Sequence, residues 1–298
     1  MMKIKVVLFC LLIASVIIQC KSSRVSDSEK GLFDYFSQVP PKDTAELFAP
    51  GIISDTVKKA WSLAVSPNGD EVFFSRGTWP NTKIMYMKKS GDNWPLPDTA
   101  GFSRDCWATE PAFSPDGRYL YFSTSKENAD IYNYSLWRIR KTGDVWSQPE
   151  KLFDLGGDSI WEFHPSVASD GSVYFCNWDN KNLTGNIYVS KCDENTCSDP
   201  VRIGNPIVTG YSDVNPFIDP EGGYMIFTSN RPGGYGDYDR YISFRNDDGS
   251  WTNPKNAGPE FNTKSEDSDM DISPDGRYMF SYLNGNIYWK PVGDLMLQ

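Results

Sequence analysis

An all-β fold built from five repeated units is what this sequence predicts, and three observations predict it. A tight-turn signature recurs at even spacing, aromatic and β-branched runs flank every copy, and no long helical period interrupts them. The turn glycines are Gly69 (SPNG), Gly117 (SPDG), Gly171 (ASDG), Gly222 (DPEG) and Gly276 (SPDG), at intervals of 48, 54, 51 and 54 residues. In an SPDG turn the proline presets φ, the aspartate bonds its own backbone, and the glycine takes the positive φ that a three-residue hairpin requires.

Each repeat carries the same parts. A first strand places an apolar residue four positions before the glycine: Val65, Phe113, Val167, Ile218 and Ile272. A second strand follows the turn, as in Val72-Phe73-Phe74 and Leu120-Tyr121-Phe122, and a third holds pairs such as Ile84-Met85 and Ile187-Tyr188. The spacing then predicts a fourth strand carrying W-x-x-P: Trp94/Pro97, Trp146/Pro149 and Trp251/Pro254. Proline is tolerable there because an outermost strand has a free edge. Four strands in about 50 residues is the signature of a β-propeller blade.

The fifth repeat stops after its third strand, near Asn286-Ile287-Tyr288-Trp289. Its missing strand is expected before the first repeat, with Glu46-Leu47-Phe48 matching Lys151-Leu152-Phe153 in register. The prediction is therefore a five-bladed β-propeller of four-stranded antiparallel blades over residues 44–298. An N-terminal strand completes the last blade and hides the edges that an open array would expose.

Upstream, Lys3 and Lys5 precede an apolar run from Val6 to Ile18, too short to span a bilayer and of the length of a secretory signal. Ile17-Ile18-Gln19-Cys20 resembles a bacterial lipoprotein lipobox, although a small residue is usual where Gln19 stands. On that reading residues 1–19 are removed and Cys20 is the acylated N-terminus. Residues 20–43 are then a lipid-anchored tether, and an aromatic patch at Phe33-Asp34-Tyr35-Phe36 is expected to dock on the domain. Lys21 lacks the aspartate associated with inner-membrane retention, so the resemblance implies an outer-membrane lipoprotein, facing the periplasm or the surface.

The net charge is −10, and removing residues 1–19 takes away two lysines and no acid. That balance argues against nucleic acid and anionic lipid surfaces as partners. The third repeat has Cys197/Pro200 where its sisters have tryptophan, with Cys192 across the turn. A Cys192–Cys197 disulfide is expected in an exported chain, with a metal site as the alternative. Cys106 and Cys176 either pair between neighbouring blades or stay as buried free thiols.

The segments SPNGDEVFFSR, SPDGRYLYFSTS, DPEGGYMIFTSNRPGGYGDYD and SPDGRYMFSY resemble the PD-type, WD-like propeller repeats of TolB-like bacterial envelope proteins. The similarity covers residues 44–290. It implies the propeller fold and a binding or scaffolding role in the periplasm, but that family shares no single activity.

Propellers bind ligands where first strands and their preceding loops converge on the axis. Seven positions before each glycine stand Ser62, Glu110, His164, Asn215 and Asp269, and nine before stand Ala60, Ala108, Glu162, Asp213 and Asp267. Strict alternation puts both sets on the same side of their strands, gathering the acids and the single histidine at one mouth. Trp107 and Trp161 lie one residue further upstream. Carboxylates among aromatic rings suit a saccharide, and the same oxygens suit Ca²⁺, although no cofactor is required. A bland reading has them bonding neighbouring blades' amides. A glycosidase would need a carboxylate pair at a defined separation. With one histidine and no G-x-S-x-G, a serine-hydrolase triad is unsupported. The expectation is a monomeric, non-catalytic binding module for an envelope protein or glycan. A carbohydrate-active enzyme and a structural scaffold subunit are the alternatives.

Overall fold

The computed structural model describes residues 34–55, 57–78, 81–125, 134–153, 155, 159–268, 270–293 and 295. Residues 1–19, where a signal segment is expected, and Cys20, Phe33 and Asp269 lie outside the described residues. No helix among the described residues is long and apolar enough to cross a membrane.

Five antiparallel sheets form the five blades of a propeller. First strands are Ala60–Val65, Ala108–Phe113, Ile160–Val167, Asp213–Ile218 and Met270–Ile272 in blades 1 to 5. Outer strands are only two residues long: Asp98–Thr99, Glu150–Lys151, Val201–Arg202 and Lys255–Asn256 in blades 1 to 4. Blade 5 takes its outer strand, Glu46–Leu47, from the N-terminal side, where it pairs with Tyr288 and Trp289.

Two details depart from the sequence reading. Glu46 faces Trp289 as Glu150 faces Arg138, so the closing strand matches Glu150–Lys151, one residue earlier than the aromatic match implied. The W-x-x-P tryptophans also stand outside the outer strands. Trp146 pairs back across its hairpin with Lys141, and the outer strand begins after Pro149. Proline has no N–H for the ladder, so pairing starts beyond it. The indole is freed to fill the wedge between blades: Trp146 lies 5.8 Å from Phe73 of blade 1.

These wedges are the core. Blades 1 and 2 pack through Phe73, Ile84, Leu120, Phe122, Trp137 and Ile139. Blades 5 and 1 close over Phe48, Phe280 and Trp289, with the last two rings stacked at 4°. Each such side chain, when fully buried, contributes about 1.5–3 kcal/mol.

The segment Asp34-Tyr35-Phe36 plugs this closing wedge. Tyr35 lies 5.2 Å from Tyr278 and 5.0 Å from Trp289, and its hydroxyl donates to Asp275 Oδ2. Phe36 packs 4.7 Å from Trp94. Asp34 caps the turn at Phe36 N–H, accepts the Trp94 indole N–H at 2.9 Å and pairs with Lys89 at 2.6 Å. Gln38 then donates to the Leu47 carbonyl and accepts from Ala49 N–H, fixing the closing strand.

Candidate functional site

The first strands are not regular. Ser62, Glu110, His164 and Asn215 all have φ between 47° and 57°. In each of blades 1 to 4 the ladder to the second strand slips there, because the first strand spends one extra residue. A left-handed backbone at a non-glycine residue is costly, of order 1–3 kcal/mol, and persists where surrounding bonds over-determine it.

Those bonds come from the preceding blade. Glu110 N–H donates to Ser75 Oγ at 2.8 Å, and His164 N–H donates to Glu110 Oε2 at 2.9 Å. Asn215 N–H donates to the Cys176 thiol. Ser75 and Cys176 each directly follow the aromatic run of a second strand (VFF-S, VYF-C), so a small polar residue there fastens the next blade. The repeat displays that residue plainly, but its role becomes visible only with the slip in the first strand. Burial pushes the Cys176 thiol far up, which keeps it a neutral hydrogen-bond partner.

The acids nine positions before the glycines do not face one shared mouth. Glu162 accepts Leu136 N–H of blade 2 at 2.9 Å and Leu155 N–H at 3.3 Å. Asp213 is fully buried, accepting from Ser229 Oγ, Thr209 N–H and the Arg231 guanidinium at 2.7 Å. Asp267 pairs with Arg240 of blade 4 at 3.3 Å and caps Thr263 N–H. Each carboxylate therefore secures the turn that leads into its own first strand. Trp107 acts through its carbonyl, which accepts from Thr124 Oγ1 and Ser125 N–H.

Glu110, His164, Asn215 and Trp161 do come together. The His164 Nε2 lies 3.1 Å from Glu110 Oε1, so the imidazole ring and its own backbone N–H both engage one carboxylate. These four residues line a cleft of ≈ 210 Å³ on the face where the first strands begin. Phe163, Trp178 and Tyr238 supply the rest of its aromatic wall, and Glu266 stands at its rim. Trp178 was not among the residues picked out from the sequence as ligand-facing. Among the described residues no group of three or more His, Cys, Asp or Glu side chains gathers to hold a metal ion.

A larger cavity of ≈ 520 Å³ occupies the opposite end of the axis, at the turn face. Its wall is the ring of apolar residues Val65, Phe113, Val167, Ile218 and Ile272 with the turn prolines. Cys192 and Cys197 are joined by a disulfide across the blade 3 hairpin, and Cys106 and Cys176 are free.

No family profile matches this chain. No curated protein matches it either. Among solved structures it is similar to a putative TolB from Agrobacterium tumefaciens, with TM-score 0.53 and 16% identity over 76% of this chain and 70% of that one. An alpha-L-arabinofuranosidase from Lactobacillus brevis gives TM-score 0.53 and 11% identity over 80% of this chain and 92% of that one. TolB from Acinetobacter baumannii gives 0.50 and 14% identity over 80% of this chain, which spans 56% of that protein's length. At these identities the likeness establishes the propeller fold and nothing finer.

Proposed function

We propose that this chain is a lipid-anchored propeller of the bacterial cell envelope that binds a glycan at the loop-face cleft without transforming it. One observation carries the reading: the described carboxylates Glu162, Asp213 and Asp267 are already committed to backbone amides and guanidinium groups, while aromatic rings line the opening. Rings such as Trp161 and Trp178 cover the apolar face of a sugar, and Asn215, His164 and Glu266 supply hydrogen bonds for its hydroxyls. Glycoside hydrolysis needs two carboxyl groups free to trade protons about 5–9.5 Å apart. Glu110 is held by His164, which leaves Glu266 without a second free carboxylate among the described residues of this wall.

The test is thermal unfolding of the mature chain against envelope and plant oligosaccharides, with Ca²⁺ and EDTA as separate arms. A ligand at about 100 times its Kd adds about 2.7 kcal/mol. A saturable rise in Tm that disappears in Trp161→Ala supports the reading. No rise with any saccharide, or oligosaccharide cleavage lost in Glu266→Gln, refutes it. The anchor is tested apart from this, since Cys20→Ala should move the protein from the membrane to the soluble fraction.

A further inference from the structure

The five wedges are not filled alike. In blades 2 and 4 the hairpin tryptophan pairs across to Lys141 or Arg245 and packs into the wedge against the preceding blade. Blade 3 has Cys197 at that place, bridged to Cys192, and no indole. The wedge between blades 2 and 3 holds a cavity of ≈ 390 Å³ open at the turn face, against ≈ 290 Å³ between blades 3 and 4.

Its blade 2 wall repeats the wall that receives Tyr35. Both read S-P-D-G-R-Y, at residues 114–119 and 273–278. Asp275 accepts from Ser273 Oγ, Arg277 N–H and Arg277 Nε, and then from Tyr35. Asp116 accepts from Ser114 Oγ, Arg118 N–H and Arg118 Nε in the same way, with no tyrosine added. Tyr119, the counterpart of Tyr278, is 6% exposed, lines the cavity, and has a buried hydroxyl with no hydrogen-bond partner. The hollow has the recognition parts of the plugged wedge and, among the described residues, no plug.

The rim differs in charge. Lys89, which holds Asp34 ahead of Tyr35, is replaced by Cys192, and the next residues are Asp193 and Glu194. Four carboxylates line the opening (Asp116, Asp170, Asp193, Glu194) against one lining cation, Arg118. Arg140 and Lys191 reach Glu194 and Asp170 from outside and leave acid in excess.

We propose that the wedge between blades 2 and 3 is a docking site for a tyrosine on a basic segment of a partner protein. The phenol donates to Asp116 as Tyr35 donates to Asp275, and a lysine or arginine beside it meets the acidic rim. This site is independent of the loop-face cleft and lies at the other end of the blades.

The test uses two labelled peptides, LFDYFSQVP, which copies residues 32–40, and LFKYFSQVP, titrated against the full chain by fluorescence anisotropy. The expected result is saturable binding, tighter for the lysine peptide by about tenfold at low salt and converging as salt screens the rim. Replacing the peptide tyrosine by alanine, or Asp116→Asn in the protein, should weaken it about tenfold, the usual size for a charged hydrogen bond. Cys192→Lys with Cys197→Trp restores the sister indole and should abolish binding, whereas Asp275→Asn should leave it unchanged. Asp116→Asn, at an exposed turn, reads the site even if the double replacement does not fold. No saturable binding at millimolar peptide overturns the proposal, as does binding indifferent to Asp116→Asn. Loss in Asp275→Asn would move the peptide to the other wedge. A homodimer dissolved by Asp116→Asn would make the occupant a second copy, also against the proposal.

Discussion

The wedge between blades 5 and 1 and the wedge between blades 2 and 3 start from the same S-P-D-G-R-Y turn and end differently. The first is packed by Trp94, Tyr35, Phe36 and Trp289. In the second, Arg138 stands where Trp289 stands, since each faces the middle of its second strand, at Tyr121 and Phe280 respectively. Arg138 lies 4.8 Å over the Tyr119 ring, pairs with Glu150 at 2.5 Å and donates to the Asp193 carbonyl at 2.7 Å. One wedge is held by ring packing across distant parts of the chain, the other by a guanidinium and a disulfide around a void. A shared turn thus fixes one wall of each wedge and leaves the filling to positions that vary between repeats, Trp94 against Cys197 and Trp289 against Arg138, and to the added Tyr35 and Phe36.

The comparison can be broken most forcefully at Trp289. It is fully buried against Tyr35, Phe48 and Phe280, and Trp289→Ala should cost about 3–5 kcal/mol. At about 2–4 °C per kcal/mol for a domain of this size, calorimetry should show Tm falling by roughly 8–15 °C. A loss below about 1 kcal/mol would mean that ring closure does not rest on this cluster.

Next comes Tyr35→Phe, which keeps the ring and removes one hydrogen bond to a carboxylate, at about 1.5–3 kcal/mol. Denaturant unfolding should show a lower midpoint with an unchanged slope. Acid should act in the same place. Burial pushes the Asp275 carboxyl up, but Ser273, Tyr35 and Arg277 outweigh it and hold it below its ordinary 3.8. Asp34 is likewise raised by burial and brought lower overall by Lys89, Trp94 and Phe36 N–H. Depressed carboxylates add stability that is present above the unfolded value and lost as pH falls through the folded one. Below about pH 4 the plug should therefore loosen, read by the fluorescence of Trp94 against a Trp94→Phe control. A signal unchanged down to pH 2 would contradict this.

The smallest expected effect has the opposite sign. Tyr119→Phe removes a buried hydroxyl that has no partner and should be neutral or stabilising by up to about 1 kcal/mol. A loss as large as that of Tyr35→Phe would erase the distinction between the two wedges.

Much of this architecture was legible because turn chemistry is local. Gly69, Gly117, Gly171, Gly222 and Gly276 all take φ near 70° to 85°, as their turns require. Ring closure was legible because blade 5 lacked a strand and the N-terminal segment offered one, although aromatic similarity misplaced it by one residue. The site was less legible for a definable reason. Alternation assumes an unbroken pleat, and Glu110, His164 and Asn215 break it with a left-handed residue. Each of the three precedes a proline, which disfavours the right-handed helical region for the residue before it. That pairing narrows the backbone choices without selecting the left-handed one. The selection comes from Ser75, Glu110 and Cys176 across the blade boundary, contacts that a single strand's pattern does not contain.

The closing strand also sets the order in which this protein can mature. Ser54 donates to the carbonyl of Ile287, 233 positions away, and the strand beside it waits for the last repeat before it has a partner. Pairing at such separation is slow, because a long loop must be closed before any contact rewards it. As the chain is made, the first four blades can condense in turn while the ring still gapes between blade 1 and the space for blade 5. An early-made edge that stays unpaired until synthesis ends is where a chaperone would have most to protect and where a truncated chain would aggregate.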